Sequence, residues 1–157
     1  RDLHSFPTRR SSDLEPVVAT DHSPAPPEMK EMESGDFTKA WGGISSIQFA
    51  LPALWTAAKR HGCNLNEVTK WLSGKPAVLP GLENKKGKIQ KGYDADFVVW
   101  DPEKTFTVTK ESIYHRHKIT PYLDETLYGT VGQTWVNGRK VFDSDKFLLN
   151  NGNLILR

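Results

Sequence analysis

The chain has 157 residues, of which 37% are hydrophobic and 25% charged, and its formal net charge is +2. This composition suits a globular protein, and basic residues scattered among acids exclude the clustered basic face of a nucleic-acid binder. The single cysteine, Cys63, favours a reducing compartment, and without an apolar run of ~18 residues we expect a cytoplasmic protein without membrane contact.

The first fourteen residues, RDLHSFPTRRSSDL, show no hydrophobic period. They are similar throughout to the in-frame translation of a common short-read sequencing adapter. A natural disordered polar arm is the alternative. We interpret residues 1–14 as non-native and exclude them from the fold. On this interpretation native sequence begins at Glu15, and we expect the N-terminal part of the protein to be missing.

A short apolar run from Val17 to Ala19 is typical of a buried strand, and it ends at the polar residues Thr20 to Ser23. Within them lies Asp21, placed where α/β barrels carry reacting groups. It could there ligate a divalent metal and exchange protons with a metal-bound water. The alternative, which the local sequence alone favours, is that Asp21 caps the following turn. Residues 25–43 form a long loop, a type that is often functional.

Two helices are predicted next. Apolar residues at three- and four-residue steps indicate a helix from Ile44 to about Gly62, with a kink at Pro52. The Asn-x-x-Glu pattern at residues 64–67 resembles a capping box and opens a second helix. We expect that helix to stop before Gly74 and Pro76.

The chain becomes β-rich beyond Leu82. Short strands are predicted at residues 87–89, 95–100 and 105–109. Two further strands, at residues 130–136 and 139–142, flank Asn137-Gly138, which is the strongest short hairpin signal.

Four segments carry a resemblance to a known family: DHSPAPPEMK from Asp21, AWGGISSIQ from Ala40, GYDADFVVWDP from Gly92 and YHRHKITPY from Tyr114. In order and spacing they resemble the allantoinases, a branch of the cyclic amidohydrolases. The resemblance implies an α/β fold in two parts. Residues 15–82 would be the end of a (β/α)8 barrel, with its last strand and helices, and residues 83–157 would supply strands of a small β-sandwich.

The resemblance also implies a site. Members hold two divalent metal ions, usually zinc, bridged by a carboxylated lysine and a hydroxide that attacks the ring amide carbon. Asp21 matches the aspartate that ligates one metal and passes a proton to the leaving nitrogen. Ser23 is near enough to reach the substrate's polar ring edge. The backbone of Trp41, Gly42 and Gly43 would lie against the ring, a close approach that glycines permit. The bridging lysine and the other ligands are absent from this sequence, so we expect the fragment alone to be inactive.

The implied reaction opens the cyclic ureide allantoin to allantoate, in an enzyme that assembles as a homo-oligomer, a tetramer in the family. Ala25 stands where dihydroorotases usually carry a histidine that reads the substrate carboxylate, which suits an uncharged ring. Two alternatives stay open: a dihydropyrimidinase or hydantoinase, and a non-catalytic, metal-free relative acting through protein contacts.

His115 and His117 have the spacing of two metal ligands on one strand face. The resemblance places the metal-binding pair upstream, however, so we interpret both as structural.

Overall fold

The computed structural model describes residues 17–148, so the interpretation of residues 1–14 lies outside the described part. Its elements are two 3-10 turns, three short helices, one π-helical turn (Lys70–Gly74) and four strands. The turns are Pro27–Lys30 and Ile47–Phe49, the helices are α1 (Ala50–Arg60), α2 (Leu65–Thr69) and α3 (Lys75–Val78), and the strands are β1 (Phe97–Thr107), β2 (Thr126–Val136), β3 (Arg139–Asp143) and β4 (Lys146–Phe147). None of the helices in this range is long and apolar enough to cross a membrane.

The predicted strand at Val17–Ala19 is not formed, and the prediction was wrong in that respect. Its backbone is irregular, and the Val18 N–H donates to the Trp71 carbonyl oxygen at 3.3 Å. The nearest strand-like pairing is one parallel bridge between His22 and Ile44. A strand needs a neighbour that pairs with its backbone groups along its length, and the described residues place none beside this segment.

Helix α1 begins later than predicted. The 3-10 turn Ile47–Phe49 leads into it, and Pro52 lies in the first helical turn. The N–H groups of that turn have no acceptor within the helix, so a proline is tolerated there. Pro52 therefore marks the start of α1 and does not kink a helix already begun at Ile44. The predicted end near Gly62 is confirmed, because α1 ends at Arg60 with His61 as its C-cap.

The predicted capping box is confirmed at α2. The Asn64 side chain accepts from the N–H groups of Asn66 and Glu67, and the Glu67 carboxylate accepts from the Asn64 N–H at 2.8 Å. The predicted stop at Gly74 is wrong. A π-helical turn, Lys70–Gly74, continues into α3, where Pro76 occupies the first turn and needs no hydrogen-bond partner for its nitrogen.

The four strands form one antiparallel sheet in the order β1-β2-β3-β4. Asn137-Gly138 turns β2 into β3 with φ of 50° and 75°, the conformation of the predicted tight hairpin. The two strands predicted at 95–100 and 105–109 are one strand, β1, with irregular pairing between Asp101 and Thr105. No strand forms at residues 87–89, where the chain turns and bends.

Helix α1 lies between two clusters of buried side chains and contributes to both. The first joins the helical segment to the β-rich part, and its members are Phe49, Ala53, Val108, Ile113, Tyr122 and Leu127. The second joins α1 to α2, and its buried members are Leu54, Trp55, Ala58 and Val68. This part of the chain is therefore an α/β structure in which helices pack on an antiparallel sheet.

Candidate functional site

Asp21 lies at the surface, just before the bridge that joins His22 to Ile44. Its φ of 46° is in the left-handed region. Aspartate adopts this conformation more readily than most residues other than glycine, and Asp124, with φ of 66°, shares it. The backbone is therefore compatible with a turn cap and with a reacting group, and the role of Asp21 stays a prediction.

The structure brings Ser23 and Trp41 together. The Trp41 indole N–H donates to Ser23 Oγ at 3.0 Å, and the Trp41 backbone N–H donates to the Met29 carbonyl oxygen at 2.7 Å. Trp41 is 56% exposed, so part of the residue is open to solvent. Two of the predicted substrate-binding residues therefore form one surface beside Asp21.

Gly42 and Gly43 differ in how much space surrounds them. A Cβ on Gly42 would meet no atom within 4 Å, so the space there is open. On Gly43, with φ of +73°, a Cβ would lie 2.6 Å from Ser23 Cβ and 2.9 Å from the Asp21 carbonyl oxygen. Glycine is thus required at position 43 for the two loops to approach, a requirement that the sequence analysis did not assign to this residue.

Lys30 holds the loop of residues 41–43 in place, and the sequence analysis missed it. Its Nζ donates to the carbonyl oxygens of Trp41, Gly42 and Gly43 at 3.0, 3.2 and 2.8 Å. An ammonium group has three N–H bonds, so all of its donors are used within the protein. No local sequence pattern indicates this role, because Lys30 and the carbonyl groups it contacts are 11 to 13 residues apart.

His22, which follows Asp21 in the sequence, packs against a second histidine, His115. The ring of His115 lies edge-on to that of His22, with centroids 6.0 Å apart. Both ring nitrogens of His115 are buried without a hydrogen-bond partner among the described residues. Burial lowers the pKa of His115, which keeps the ring neutral at physiological pH. His115 thus packs against another imidazole, and the structural interpretation of His115 and His117 stays a prediction.

The carboxylates and imidazoles in this part of the chain do not form a complete metal site. Between residues 17 and 148, no three His, Cys, Asp or Glu side chains come together as a metal-binding group. A bound divalent metal ordinarily takes three or four protein ligands. Asp21 fits the role of one such ligand, and the others would have to come from outside the described residues.

Comparison with known proteins places this site in context. Residues 45–142 match the amidohydrolase family. The chain is 46% identical over 132 residues to a probable allantoinase from Oryza sativa subsp. japonica, covering 83% of this chain and 26% of that protein. It is 44% identical over 140 residues to the allantoinase of Streptomyces avermitilis, covering 89% of this chain and 31% of that protein.

Among solved structures, the chain is similar to D-hydantoinase from a Bacillus sp. AR9, with a TM-score of 0.76 and 32% identity. The match covers 84% of this chain and 29% of the hydantoinase. The chain therefore spans between about a quarter and a third of the length of the proteins that it matches.

Proposed function

The chain belongs to the amidohydrolase family, and from that membership we propose that it is part of an allantoinase, which hydrolyses the cyclic amide of allantoin to give allantoate. The observation that carries the proposal is the higher identity to allantoinases. It reaches 46% for the rice protein, against 32% for the Bacillus hydantoinase over a similar share of the chain. A hydantoinase or dihydropyrimidinase remains the second candidate because of the structural likeness.

We also propose where this chain lies in the whole enzyme. Residues 15–82 are the end of the (β/α)8 barrel, and residues 83–157 contribute strands to a small β-sandwich. The change from helices before Val78 to strands after Phe97 supports this division. The buried contact of Phe49 and Ala53 with Leu127 would hold the two parts together.

Asp21 is the proposed acid–base residue and the one proposed metal ligand in this chain. An amide nitrogen leaves readily only when it is protonated, so a carboxyl group at the site must deliver a proton to it. The exposed Asp21 carboxylate is free to take that proton from the attacking water and pass it on. The two divalent metal ions, zinc in the proposal, would supply Lewis-acid chemistry at the ring carbonyl. Their carboxylated lysine and remaining ligands would lie outside this chain.

Ser23, Trp41 and Gly42 are the proposed substrate contacts. Ser23 Oγ accepts the indole N–H, which leaves its own O–H free to donate to a carbonyl of the ureide ring. The exposed part of Trp41 offers an apolar platform for the flat ring. The open space at Gly42 lets the ring approach the backbone. In the proposal, the complete enzyme is a homotetramer.

The test is an assay of the protein encoded by the complete transcript, with allantoin, dihydrouracil and hydantoin as substrates. We expect turnover of allantoin and about two bound metal ions per subunit, as the family mechanism requires. Turnover of dihydrouracil or hydantoin alone would replace the proposal with its second candidate. A folded protein without metal or activity would identify a non-catalytic relative.

The Asp21→Asn variant tests the acid–base role. Because asparagine cannot carry the proton, we expect kcat to fall by about 10²- to 10⁴-fold. Asp124 offers a matched control, since it is also an exposed aspartate with a left-handed φ, of 66°. Asparagine tolerates this conformation at both positions. Asp124→Asn should therefore keep wild-type kcat, and an Asp21→Asn enzyme of equal activity would remove Asp21 from the mechanism.

A further inference from the structure

The left-handed backbone at Asp21 is fixed on both sides by one segment of the chain, residues 44–47. On one side, Ser46 Oγ donates to the Thr20 carbonyl oxygen at 2.8 Å. On the other, the Ser23 N–H donates to the Ile44 carbonyl oxygen at 2.8 Å. Ser46 is almost fully buried, with 1% of its surface exposed, so the first bond is protected from water.

His22, the residue next to Asp21, makes a further contact with the same segment. His22 Nδ1 accepts hydrogen bonds from the backbone N–H groups of Ser46 and Ile47, at 3.1 and 3.2 Å. Those N–H groups begin the helical stretch that leads into α1, where backbone donors have no acceptor within the helix. Ser46 itself, the N-cap of this stretch, makes no side-chain capping bond. The imidazole therefore serves as the cap, a role usually filled by a Ser, Thr, Asp or Asn side chain.

The geometry also fixes the chemical form and orientation of the ring. Because Nδ1 accepts two hydrogen bonds, the ring proton of the neutral imidazole is on Nε2. His115 packs edge-on against the same ring. The Asp21 backbone is thus joined, through its neighbour's side chain, to the start of a helix whose buried face belongs to the core.

We propose that His22 is a positioning residue for the hydrolytic reaction. By capping the start of the α1 segment through Nδ1, it holds Asp21 in its left-handed conformation and fixes the carboxylate relative to Ser23 and Trp41. This inference rests on the proposed function, because it gives His22 a role only if Asp21 transfers the proton.

The test compares His22→Asn with His22→Gln in the protein encoded by the complete transcript. Asparagine places its amide oxygen near the position of Nδ1, whereas the longer glutamine side chain places its amide near Nε2. Both variants lose the imidazole and its packing, so their difference isolates the acceptor at the Nδ1 position. A displacement of about 1 Å at a reacting group can cost 10²-fold in rate. We therefore expect kcat to fall about 10- to 100-fold in His22→Gln and no more than about 3-fold in His22→Asn, with KM little changed in both.

Equal losses of kcat in the two variants, wild-type kcat in both, or an effect confined to KM would overturn the inference. If His22→Gln does not fold, Ser46→Ala decides, because it keeps the His22 ring and removes the Oγ hydrogen bonds to the carbonyl oxygens of Thr20, on the other side of Asp21, and of Ile44. Its kcat should fall several-fold at unchanged KM, and an unchanged kcat would overturn the inference. An active wild-type enzyme with insensitive variants would refute only the positioning role. Wild-type protein inactive on all three ring substrates would refute the proposed function and this inference with it.

Discussion

At the scale of single residues, the direction of each hydrogen bond decides which groups near Asp21 can meet a ligand. The Lys30 ammonium group donates all three of its hydrogen bonds to the carbonyl oxygens of residues 41–43. It therefore stabilises the loop and has no donor left to bind substrate. Ser23, in contrast, accepts one bond and keeps its own donor. The side chain expected to recognise the ring is therefore the serine and not the nearby lysine.

Replacement of Trp41 by phenylalanine tests this assignment. The Trp41→Phe substitution keeps an aromatic platform but removes the N–H that orients Ser23 Oγ. A hydrogen bond of this kind contributes about 0.5–1.5 kcal/mol, which corresponds to roughly a 2- to 10-fold effect on an equilibrium. We expect KM for allantoin to rise by about that factor in the complete enzyme, with a smaller change in kcat.

The matched control is Trp135→Phe, the same chemical change on β2, where the indole N–H donates to the Gln133 side chain. Its KM should equal that of the wild type. Combining Trp41→Phe with Ser23→Ala should add little to the loss from Ser23→Ala alone, because the indole acts through the serine. Fully additive losses would show that Trp41 and Ser23 bind substrate independently.

The same residue scale shows what a sequence can and cannot predict about a site. Asp21 and Ser23 could be proposed as site residues because the apolar run before them and their resemblance to a family motif are local signals. The parts played by His22, Lys30 and Gly43 were not, because their partners lie 11 to 25 residues away along the chain. Such roles depend on how two loops meet, and that geometry is set by the tertiary structure.

At the scale of elements, helix α1 packs on strand β2. Thr56 links the two directly, since its buried Oγ1 accepts from the Tyr128 N–H at 2.8 Å. Next to that contact, Gly129 has φ of +100°, and a Cβ there would lie 2.7 Å from the Trp100 ring. The Trp100 ring in turn lies edge-on to Trp55 of α1.

Gly129→Ala should therefore destabilise the junction of helix and sheet. The left-handed φ and the overlap with Trp100 each carry a cost, and together we expect a loss of about 2–5 kcal/mol in the free energy of unfolding. Denaturant unfolding of the complete protein would measure it. Gly132→Ala on the same strand is the control, because its Cβ would make an ordinary contact at 3.6 Å with the Val99 carbonyl oxygen. Similar losses from the two substitutions would refute this account of Gly129.

Elements were predictable where their determinants are local. The capping box at Asn64 and the Asn137-Gly138 hairpin were found correctly because each is specified by a few adjacent residues. The strand at Val17–Ala19 was not formed, because a strand depends on a partner elsewhere in the chain. Pro76 was taken as a stop, but a π-helical turn before it lets the helical path continue.

At the scale of the whole molecule, the described residues include many large apolar side chains that are exposed to solvent. Large side chains project from several separate places, including Phe37 and Ile89, which are 92% and 89% exposed. Strand β1 is an edge of the sheet and pairs, within residues 17–148, with β2 alone. In the proposed enzyme, the remainder of the protein or another subunit would cover part of this surface.

Residues 15–157 produced alone should therefore self-associate. An open strand edge and large exposed apolar side chains both favour association between chains. We expect insoluble protein or large soluble species by size-exclusion chromatography with light scattering, together with strong binding of a hydrophobic dye. The double substitution Phe37→Ser and Ile89→Lys should reduce dye binding without restoring activity. In the proposal, the rest of the enzyme supplies the other metal ligands and covers these faces, so the complete protein under the same conditions should be both soluble and active. A soluble monomer of residues 15–157 with a sharp cooperative melt would instead show that this part of the chain is an independent folding unit.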